Sequence, residues 1–438
     1  MKKQLVLLIN MLVFLAIILQ GCSNNGEMKL VENQQVTLHM AMWDANQDFI
    51  AFMHDKVEEY TVVHPRVKIQ LETFHNDGEY LKAMQVKLSA NELPDILELK
   101  PNWIAYFQKE LLALDTLEAT TRNRYAKQFA LDDKVLAIPA VSYPELMYYH
   151  PSIFEELQLS VPNTWSEFIQ LLQTLKRESG IIPYTMSGKD YWATYPFNEF
   201  MAHLSSNEEQ YLNGMAMQDE PFAQGTPFYN SYKKIEQLYQ AQVMGADPLS
   251  TDWEQATEQF YSKEAAIIGG GLWFLSNYES NVGHTDDLEA FPLPYRESEA
   301  EPLRIMTFVD HFYGINKLTK YEEEAKLFLE WFYSPEVYQT YLTQAQLDST
   351  FYDVQAEIPF LQKFHEKFSE VSPFYYVPGG TEYAALVDAI QLDYKKIGQE
   401  MLANRDLDEI VNGLNMKWAK ARKQLQISKE RGRYIISP

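Results

Sequence analysis

Tryptophans with polar neighbours follow two predicted strands of this chain. Trp43-Asp44 comes at the end of the first predicted strand, and Asn102-Trp103 follows the third. An indole ring can cover an apolar molecular face, while the adjacent carboxylate or amide forms hydrogen bonds at its edge. Because ligands of α/β proteins gather outside the carboxyl ends of strands, we expect both pairs to face a cleft. The alternative is that Trp43 and Trp103 only cover the edge of a sheet.

A run of three glycines precedes another tryptophan. Gly269, Gly270 and Gly271 end a predicted strand, and Trp273 begins the helix predicted after them. Glycine lets a backbone approach a ligand closely, and the indole stands beside this approach. The pattern suits a ligand-binding turn and a plain strand-to-helix turn about equally.

The sequence lacks the motifs of several enzyme classes: G-x-S-x-G, H-E-x-x-H, the Walker lysine loop and G-x-G-x-x-G. Its nine histidines are scattered without metal-ligand spacing, so we expect neither a metal nor another cofactor. A glycoside hydrolase needs only two carboxylates at a suitable separation, and the 61 acidic residues leave that alternative open. The formal net charge of -24 repels phosphate backbones. Nucleic acid is therefore excluded as an expected partner.

The only cysteine of the chain, Cys22, follows the pattern of an export signal. Lys2 and Lys3 precede an apolar run over residues 5–19, and Cys22 comes shortly after it. This order predicts a secretory signal peptide with acylation at the cysteine. The alternative is an uncleaved membrane anchor, which usually needs about 20 apolar residues, whereas this run is shorter and contains Asn10. We expect a protein anchored by lipid on the extracellular face of the cell membrane.

Apolar periodicity predicts an α/β unit that positions the first two tryptophans. A strand, helix, strand order with a parallel sheet is expected here. The predicted elements are strand 36–43, helix 49–60, strand 67–72, helix 77–88 and strand 94–99. The α/β pattern continues from Tyr143, with a strand at 265–269 and a largely helical tail over 382–425.

The length and composition predict two lobes. A chain of 438 residues, 46% hydrophobic and 14% aromatic, exceeds one hydrophobic core. No low-complexity linker divides it, so we expect strands near residues 138–142 and 304–309 to cross directly between the lobes. The expected bounds are 1–21 for the signal peptide, 22–35 for a lipid-anchored spacer, 36–140 with 306–350 for the N-terminal lobe, and 141–305 with 351–438 for the C-terminal lobe.

Short motifs lie in order over nearly all of the chain after residue 35. They are Ala90-Asn91-Glu92-Leu93-Pro94-Asp95-Ile96, Leu136-Ala137-Ile138-Pro139, Met147-Tyr148-Tyr149-His150, Val161-Pro162-Asn163-Thr164-Trp165-Ser166-Glu167-Phe168, residues 260–273 and Tyr313-Gly314-Ile315-Asn316-Lys317. Each alone is weak, but together the set resembles the extracellular solute-binding proteins of ABC importers, in the sugar-binding group that includes maltose-binding protein. His150 departs from the family pattern, which usually has Asn there.

The resemblance implies a two-lobe, periplasmic-binding-protein-like α/β fold with hinge strands and a ligand cleft between the lobes. A sugar has an apolar face of C–H groups and a rim of hydroxyls, which suits aromatic platforms with polar neighbours. The resemblance adds site residues: Trp273 as a sugar-stacking ring beside Gly271, Tyr143 and Glu145 after the first crossing strand, Trp192 and Tyr195 in an aromatic cluster, and Asp310, followed by His311, after the second crossing strand.

The resemblance also implies partners and a mode of action. It predicts a monomer that captures a carbohydrate without catalysis and delivers it to an ABC permease whose ATPase subunits are separate chains. Two alternatives remain from the sequence: a lipid-anchored glycoside hydrolase, and a surface sensory or adhesion module with the same fold.

Overall fold

The structure is a computed structural model that describes residues 35–44 and 46–427. The predicted signal peptide, Cys22 and all but the last residue of the predicted spacer lie outside these residues. The strands of the described chain are β1 (Val36–Trp43), β2 (Val67–Phe74), β3 (Ile96–Leu99), β4 (Ala137–Tyr149), β5 (Ile182–Thr185), β6 (Ala265–Gly271), β7 (Glu289–Pro292), β8 (Arg304–Ile315), β9 (Asp348–Ser349) and β10 (Ser372–Tyr375).

Helices surround these strands. They are α1 (Gln47–Val63), α2 (Asp77–Ala90), α3 (Pro101–Phe107), α4 (Glu118–Arg122), α5 (Pro151–Glu156), α6 (Trp165–Glu178), α7 (Met201–Ser206), α8 (Tyr211–Ala216), α9 (Pro227–Ala241), α10 (Trp253–Tyr261), α11 (Phe274–Val282), α12 (Glu322–Phe332), α13 (Pro335–Ala345), α14 (Pro359–Lys367), α15 (Thr381–Ile390), α16 (Tyr394–Leu402) and α17 (Leu407–Gln424). Short 3₁₀ turns cover Gln108–Glu110 and Tyr191–Thr194, and a π-helical turn covers Pro196–Phe200.

The predicted strand, helix, strand unit at the start of the fold is confirmed. Helix α1 begins after Asn46, whose side chain accepts hydrogen bonds from the first free backbone amides. Its buried side carries Phe49, Met53, Val57 and Tyr60, at the spacing that places them on one face. This face packs over the parallel pair of β1 and β2.

The sheet order is β2-β1-β3-β8-β4-β6-β5. Strand β1 is parallel to β2 and β3, as predicted, but β8 lies antiparallel to β3. The parallel sheet expected for the N-terminal unit is therefore confirmed for β1, β2 and β3. Strand β8 lies outside that unit and returns beside β3 later in the chain.

Strands β4 and β8 are the long strands that join the two ends of the sheet. The first part of β4 pairs with β8, from Ala137 opposite Gly314 to Pro144 opposite Thr307. The remainder of β4 pairs with β6 and β7, beginning with Glu145 opposite Gly271. All of β4 is buried, in keeping with a strand covered on both faces. The segments predicted to cross, 138–142 and 304–309, lie in these two paired strands and meet directly where Ser142 is opposite Val309.

His150, the departure from the family pattern, is completely buried at the end of β4. Its ring nitrogens lie 3.0 Å from the carbonyl oxygen of Asp287 and 2.8 Å from that of Phe260. Burial lowers the pKa of this imidazole below its ordinary value. The residue therefore ties the end of β4 to the segments before β6 and β7.

Candidate functional site

The first aromatic cluster consists of Trp43, Tyr80, Trp103 and His311. The Trp43 ring centroid lies 4.9 Å from that of Tyr80 and 5.2 Å from that of Trp103, and Tyr80 stacks on Trp103 at 5.9 Å. Trp43 and Trp103 are each only 7% exposed. These indoles therefore form a packed wall beyond the ends of β1 and β3, in which each ring supports the next.

The polar neighbours in the two predicted pairs behave differently. Asn102 is exposed, whereas Asp44 is half-buried and accepts a hydrogen bond from the backbone N–H of Asn46 at 2.7 Å. Asn102 lies in a helix, because Pro101 at the first helical position starts α3 directly after β3. Trp103 consequently points back into the aromatic wall from a helix.

A completely buried carboxylate, Glu98, lies beneath this wall. Its Oε2 accepts the backbone N–H of Trp43 at 2.9 Å, and its Oε1 pairs with Nδ1 of His311. Sequence reasoning missed Glu98, although a lone acid in the apolar run of β3 is an available signal. Burial alone would lower the pKa of His311, but the charge of Glu98 and its hydrogen bond raise it to about 9.

Tyr143 and Asp310 meet where β4 pairs with β8. The Tyr143 hydroxyl donates to Oδ2 of Asp310 at 2.8 Å, and both residues are nearly fully buried. Oδ1 of Asp310 has no hydrogen-bond partner among the described residues. A buried acceptor of this kind favours a donor group, such as a ligand hydroxyl.

Glu145 lies two residues further along the same face of β4. Its Oε2 accepts the Tyr195 hydroxyl at 2.8 Å. The side chain is 3% exposed, and burial raises its pKa to about 8. At neutral pH this carboxyl is therefore mostly protonated, and it can both donate and accept a hydrogen bond.

The second aromatic cluster consists of Trp192, Tyr195, Trp253 and Trp273. Trp192 stacks on Tyr195 at 6.1 Å, Trp192 contacts Trp253 at 4.8 Å, and Trp253 lies 5.7 Å from Trp273. All four rings are partly exposed. Sequence reasoning missed Trp253 as a site residue. The available signal was the capping box of Asp252 and Gln255, which places Trp253 at a helix start.

Gly271 brings the second cluster against Tyr143. A Cβ added at Gly271 would lie 2.6 Å from Cδ1 of Trp273 and 2.8 Å from Cε2 of Tyr143. No side chain fits there, so the glycine is required by close approach. The rings of Trp273 and Tyr143 consequently meet over this backbone, and the contacts run on through Asp310 and His311 to Trp43.

Lys100 supplies a cation to this line of groups. Its ammonium lies 2.9 Å from Oδ2 of Asp77 and 5.8 Å from the centre of the Trp43 ring. Burial opposes the charged form, yet Asp77 and Asp310 together raise the pKa of Lys100 above its ordinary value. The pKa of Asp77 is lowered mainly by Lys100.

Glu199 is a further acid near this cation. Burial raises its pKa, while hydrogen bonding from Tyr376 and the charges of Lys395 and Lys100 oppose the rise. The Tyr376 hydroxyl donates to Oε1 of Glu199 at 2.5 Å. Lys100 follows β3 and Glu199 follows β5, so groups that follow two separate strands of the sheet act on one another here.

A cavity of about 630 Å³ lies elsewhere. Its walls include Leu275 and Glu279 of α11 and Leu342 of α13, and none of the predicted ligand-binding residues lines it. We place the candidate site at the aromatic and acidic groups, because they combine platforms, buried acceptors and perturbed pKa values.

Two further features bear on function. Within residues 35–44 and 46–427 no three His, Cys, Asp or Glu side chains are grouped as a metal site would need. None of the helices in that part of the chain is both long and apolar enough to cross a membrane.

Comparison with known proteins identifies the family. The sequence profile described as "Bacterial extracellular solute-binding protein" matches residues 46–339. The multiple sugar-binding protein of Streptococcus mutans is 20% identical over 60% of this chain and 64% of its own length. The chain thus spans under two thirds of that relative. The melibiose/raffinose/stachyose-binding protein MelE of Bacillus subtilis is 22% identical over 93% of this chain and 98% of its own length.

A solved structure shows the same fold. The binding protein of an ABC transporter from Bifidobacterium animalis, in complex with mannobiose, superposes with a TM-score of 0.74 at 20% identity over 91% of this chain and 98% of that chain. The architecture is accordingly the two-lobe α/β fold with a ligand cleft. Because the family profile covers well over half of its residues, the chain belongs to the bacterial extracellular solute-binding proteins.

Proposed function

We propose that this protein captures an oligosaccharide between the two aromatic clusters and delivers it to an ABC importer. The observation that carries this proposal is the line of neighbouring groups from Trp273 through Tyr143 and Asp310, and through the adjacent His311, to Trp43. It offers aromatic faces at both ends and buried hydrogen-bonding groups between them, which is what the C–H face and hydroxyl rim of a sugar require.

Relatives support the ligand class. Proteins named for multiple sugars and for melibiose, raffinose and stachyose align with this chain, and one with the same fold holds mannobiose. To Trp253 we add, as proposed ligand-binding residues, all those expected from the sequence: Trp43, Asp44, Asn102, Trp103, Tyr143, Glu145, Trp192, Tyr195, Gly271, Trp273 and Asp310.

Delivery follows from closure of the lobes over the ligand. The proposed lobes are residues 36–140 with 306–350 and residues 141–305 with 351–438, hinged where β4 and β8 pair. A ligand that contacts both lobes only in the closed form favours that form. The closed monomer then docks on a permease whose ATPase subunits are separate chains. Small-angle scattering should show a smaller radius of gyration with saturating sugar, and identical profiles would contradict closure.

We also propose that Cys22 becomes the acylated N-terminus and holds the protein at the extracellular face of the cell membrane. The support is its position after the basic residues and the apolar run. Cys22→Ala should release the protein or leave an uncleaved precursor. If mass spectrometry shows that the mature protein begins at another residue and carries no lipid, this proposal is contradicted.

The ligand is tested by calorimetric titration and thermal shift with melibiose, raffinose, stachyose and mannobiose. A sugar at 100 times its dissociation constant should stabilise the protein by about 2.7 kcal/mol. Failure of every sugar in the panel to bind would argue against these sugars as ligands.

The glycosidase alternative has one structural feature in its favour. Glu145 has a raised pKa and lies two residues after Tyr143 on β4, and the Tyr143 hydroxyl donates to Asp310. Glycosidases use a pair of carboxyl groups, one of which is protonated. The same titrations decide this point. Binding without catalysis predicts that the sugar is recovered chemically unchanged, whereas its cleavage by purified protein would assign a hydrolase.

A further inference from the structure

His311 has an unusual backbone for a residue inside a strand. Its φ is +52°, in the left-handed region that residues other than glycine seldom occupy. The pairing of β4 with β8 is interrupted at this residue: Pro139 is opposite Phe312 and Val141 opposite Asp310, without a pair between them. Backbone strain of this kind persists only where surrounding contacts hold it, and it marks functional positions.

The contacts that hold His311 converge on Glu98. This carboxylate is fully buried and receives Nδ1 of His311 at one oxygen. The Tyr313 hydroxyl lies 3.4 Å from the same oxygen. A buried carboxylate is costly unless it is paired and hydrogen-bonded, so the two charges require each other.

The same two residues hold Trp43 at two points. Glu98 accepts its backbone N–H at 2.9 Å. The His311 ring stacks on the indole with 5.6 Å between centroids and 17° between planes. A cation over an indole face is attracted to the ring. Glu98 therefore fixes where the Trp43 backbone lies, and His311 fixes how its ring is turned.

We propose that Glu98 and His311 form a positioning pair that sets the orientation of Trp43 toward the ligand and holds Asp310 in place to receive the Tyr143 hydroxyl. This inference rests on the proposed function for the identity of the ligand. Neither member is assigned a contact with sugar. Both act through Trp43 and through Asp310, the residue directly before His311.

The charges around the pair decide its pH behaviour. Against the effect of burial, three acidic residues raise the pKa of His311: Glu98 in β3, the adjacent Asp310, and Asp44 after β1. Burial and the charge of Glu98 raise the pKa values of four tyrosines near the pair: Tyr80, Tyr313, Tyr333 and Tyr341. The Lys100 ammonium lies over the Trp43 ring. His311 accordingly stays charged at neutral pH, and the stacked cation is lost as pH rises through about 9.

The test needs no sugar in its first arm. In protein labelled with 5-fluorotryptophan, the Trp43 fluorine resonance is assigned by its loss in Trp43→Phe and followed from pH 6 to pH 10. It should shift with a midpoint near 9. Glu98→Gln should move the midpoint down toward the ordinary histidine value of about 6.5. His311→Asn should abolish the shift, since asparagine tolerates the left-handed backbone but carries no charge.

His39→Asn is the matched control, because His39 is an exposed residue of the same strand as Trp43, and this variant should keep the wild-type midpoint. The second arm measures raffinose, stachyose and mannobiose affinity at pH 7, where both pair variants should bind about 10- to 100-fold more weakly. A Trp43 resonance that does not titrate between pH 6 and pH 10, an unmoved midpoint in Glu98→Gln, or unchanged sugar affinity in both variants would overturn the proposal. If no sugar binds wild type, the proposed ligand class fails while the fluorine arm still decides the pair.

Discussion

The two aromatic clusters differ in how much of each ring is free to meet a ligand. In the first cluster Trp43 and Trp103 are 7% exposed and pack against Tyr80. In the second, Trp192 and Trp273 are partly exposed and contact each other only at 6.3 Å. The first cluster is therefore a wall whose shape is set by its own packing. The rings of the second cluster still expose surface that a ligand can cover.

The buried acidic residues beside the two clusters also differ, in the partners that each of them has. Glu98, under the first cluster, has an imidazolium and a backbone amide as partners. Glu145, beside the second, has the Tyr195 hydroxyl, and burial raises its pKa to about 8. One acid is neutralised by a charged partner and the other by a proton. A protonated carboxyl can both donate and accept hydrogen bonds, so Glu145 keeps a donor that the Glu98 carboxylate lacks.

The largest effect is expected for Trp43→Ala. Removing a buried indole from a packed wall should lower the free energy of unfolding by about 3 to 5 kcal/mol. Urea denaturation measures this. Because Trp43 is also a proposed ligand-binding residue, sugar affinity should fall as well; a loss of stability below about 1 kcal/mol would contradict the packed wall and would erase the contrast between the clusters.

Trp273→Ala should act mainly on binding. An exposed ring that stacks on a sugar loses burial and dispersion contacts when truncated, which should cost about 2 to 4 kcal/mol, or roughly 30- to 1,000-fold in affinity. Calorimetric titration and a melting curve on the same variant check this. Unchanged affinity with a large drop in melting temperature would falsify the stacking role.

The surroundings of Trp43 and Trp273 also show which features of the fold can be predicted from sequence patterns. Alternation and helical periodicity predicted β1, α1 and β2 because burial of one face leaves a local signature. The glycine run suited a ligand-binding turn and a plain turn about equally, and the structure places the ring of the nearby Trp273 against Gly271. Such features depend on neighbours in sequence.

Other features depend on distant residues and could not be predicted. The Glu98 and His311 pair joins residues 213 positions apart, and a lone acid in an apolar strand does not name its partner. The antiparallel direction of β8 depends likewise on how the chain returns from the far end of the fold. The burial of Trp43 relies on Tyr80 and Trp103, whose contacts no local period encodes.

Glu145→Gln should test the protonated acid of the second region. A carboxyl with a folded pKa of about 8 and an ordinary value of 4.5 binds more protons when folded, so wild-type stability falls as pH rises between these values. Glutamine removes this loss. From pH 5 to pH 9 the stability difference should move in favour of the variant by about 2 to 4 kcal/mol.

Urea denaturation of both proteins across this pH range measures the effect. His311 titrates in the same interval, but it does so in both proteins and cancels in the difference. A difference that stays constant with pH would mean that Glu145 is ionised at neutral pH, and the second region would then resemble the first.

Gly271→Ala should give the smallest effect and the most local one. The new Cβ would lie 2.6 Å from Trp273 and 2.8 Å from Tyr143, so at least one ring must move. Overpacking of this kind costs about 1 to 3 kcal/mol. Because both rings belong to the proposed sugar site, affinity should fall along with stability.

Gly270→Ala is the matched control. A Cβ at Gly270 would lie 3.5 Å from Cβ of Phe274 and 3.6 Å from Cη2 of Trp273, which are ordinary van der Waals contacts. This variant should therefore change neither affinity nor melting temperature by much. Calorimetric titration of the two variants side by side separates the close approach at Gly271 from a general need for glycine in β6. Equal affinity losses would show that the strand, and not the meeting of Trp273 with Tyr143, requires the glycines.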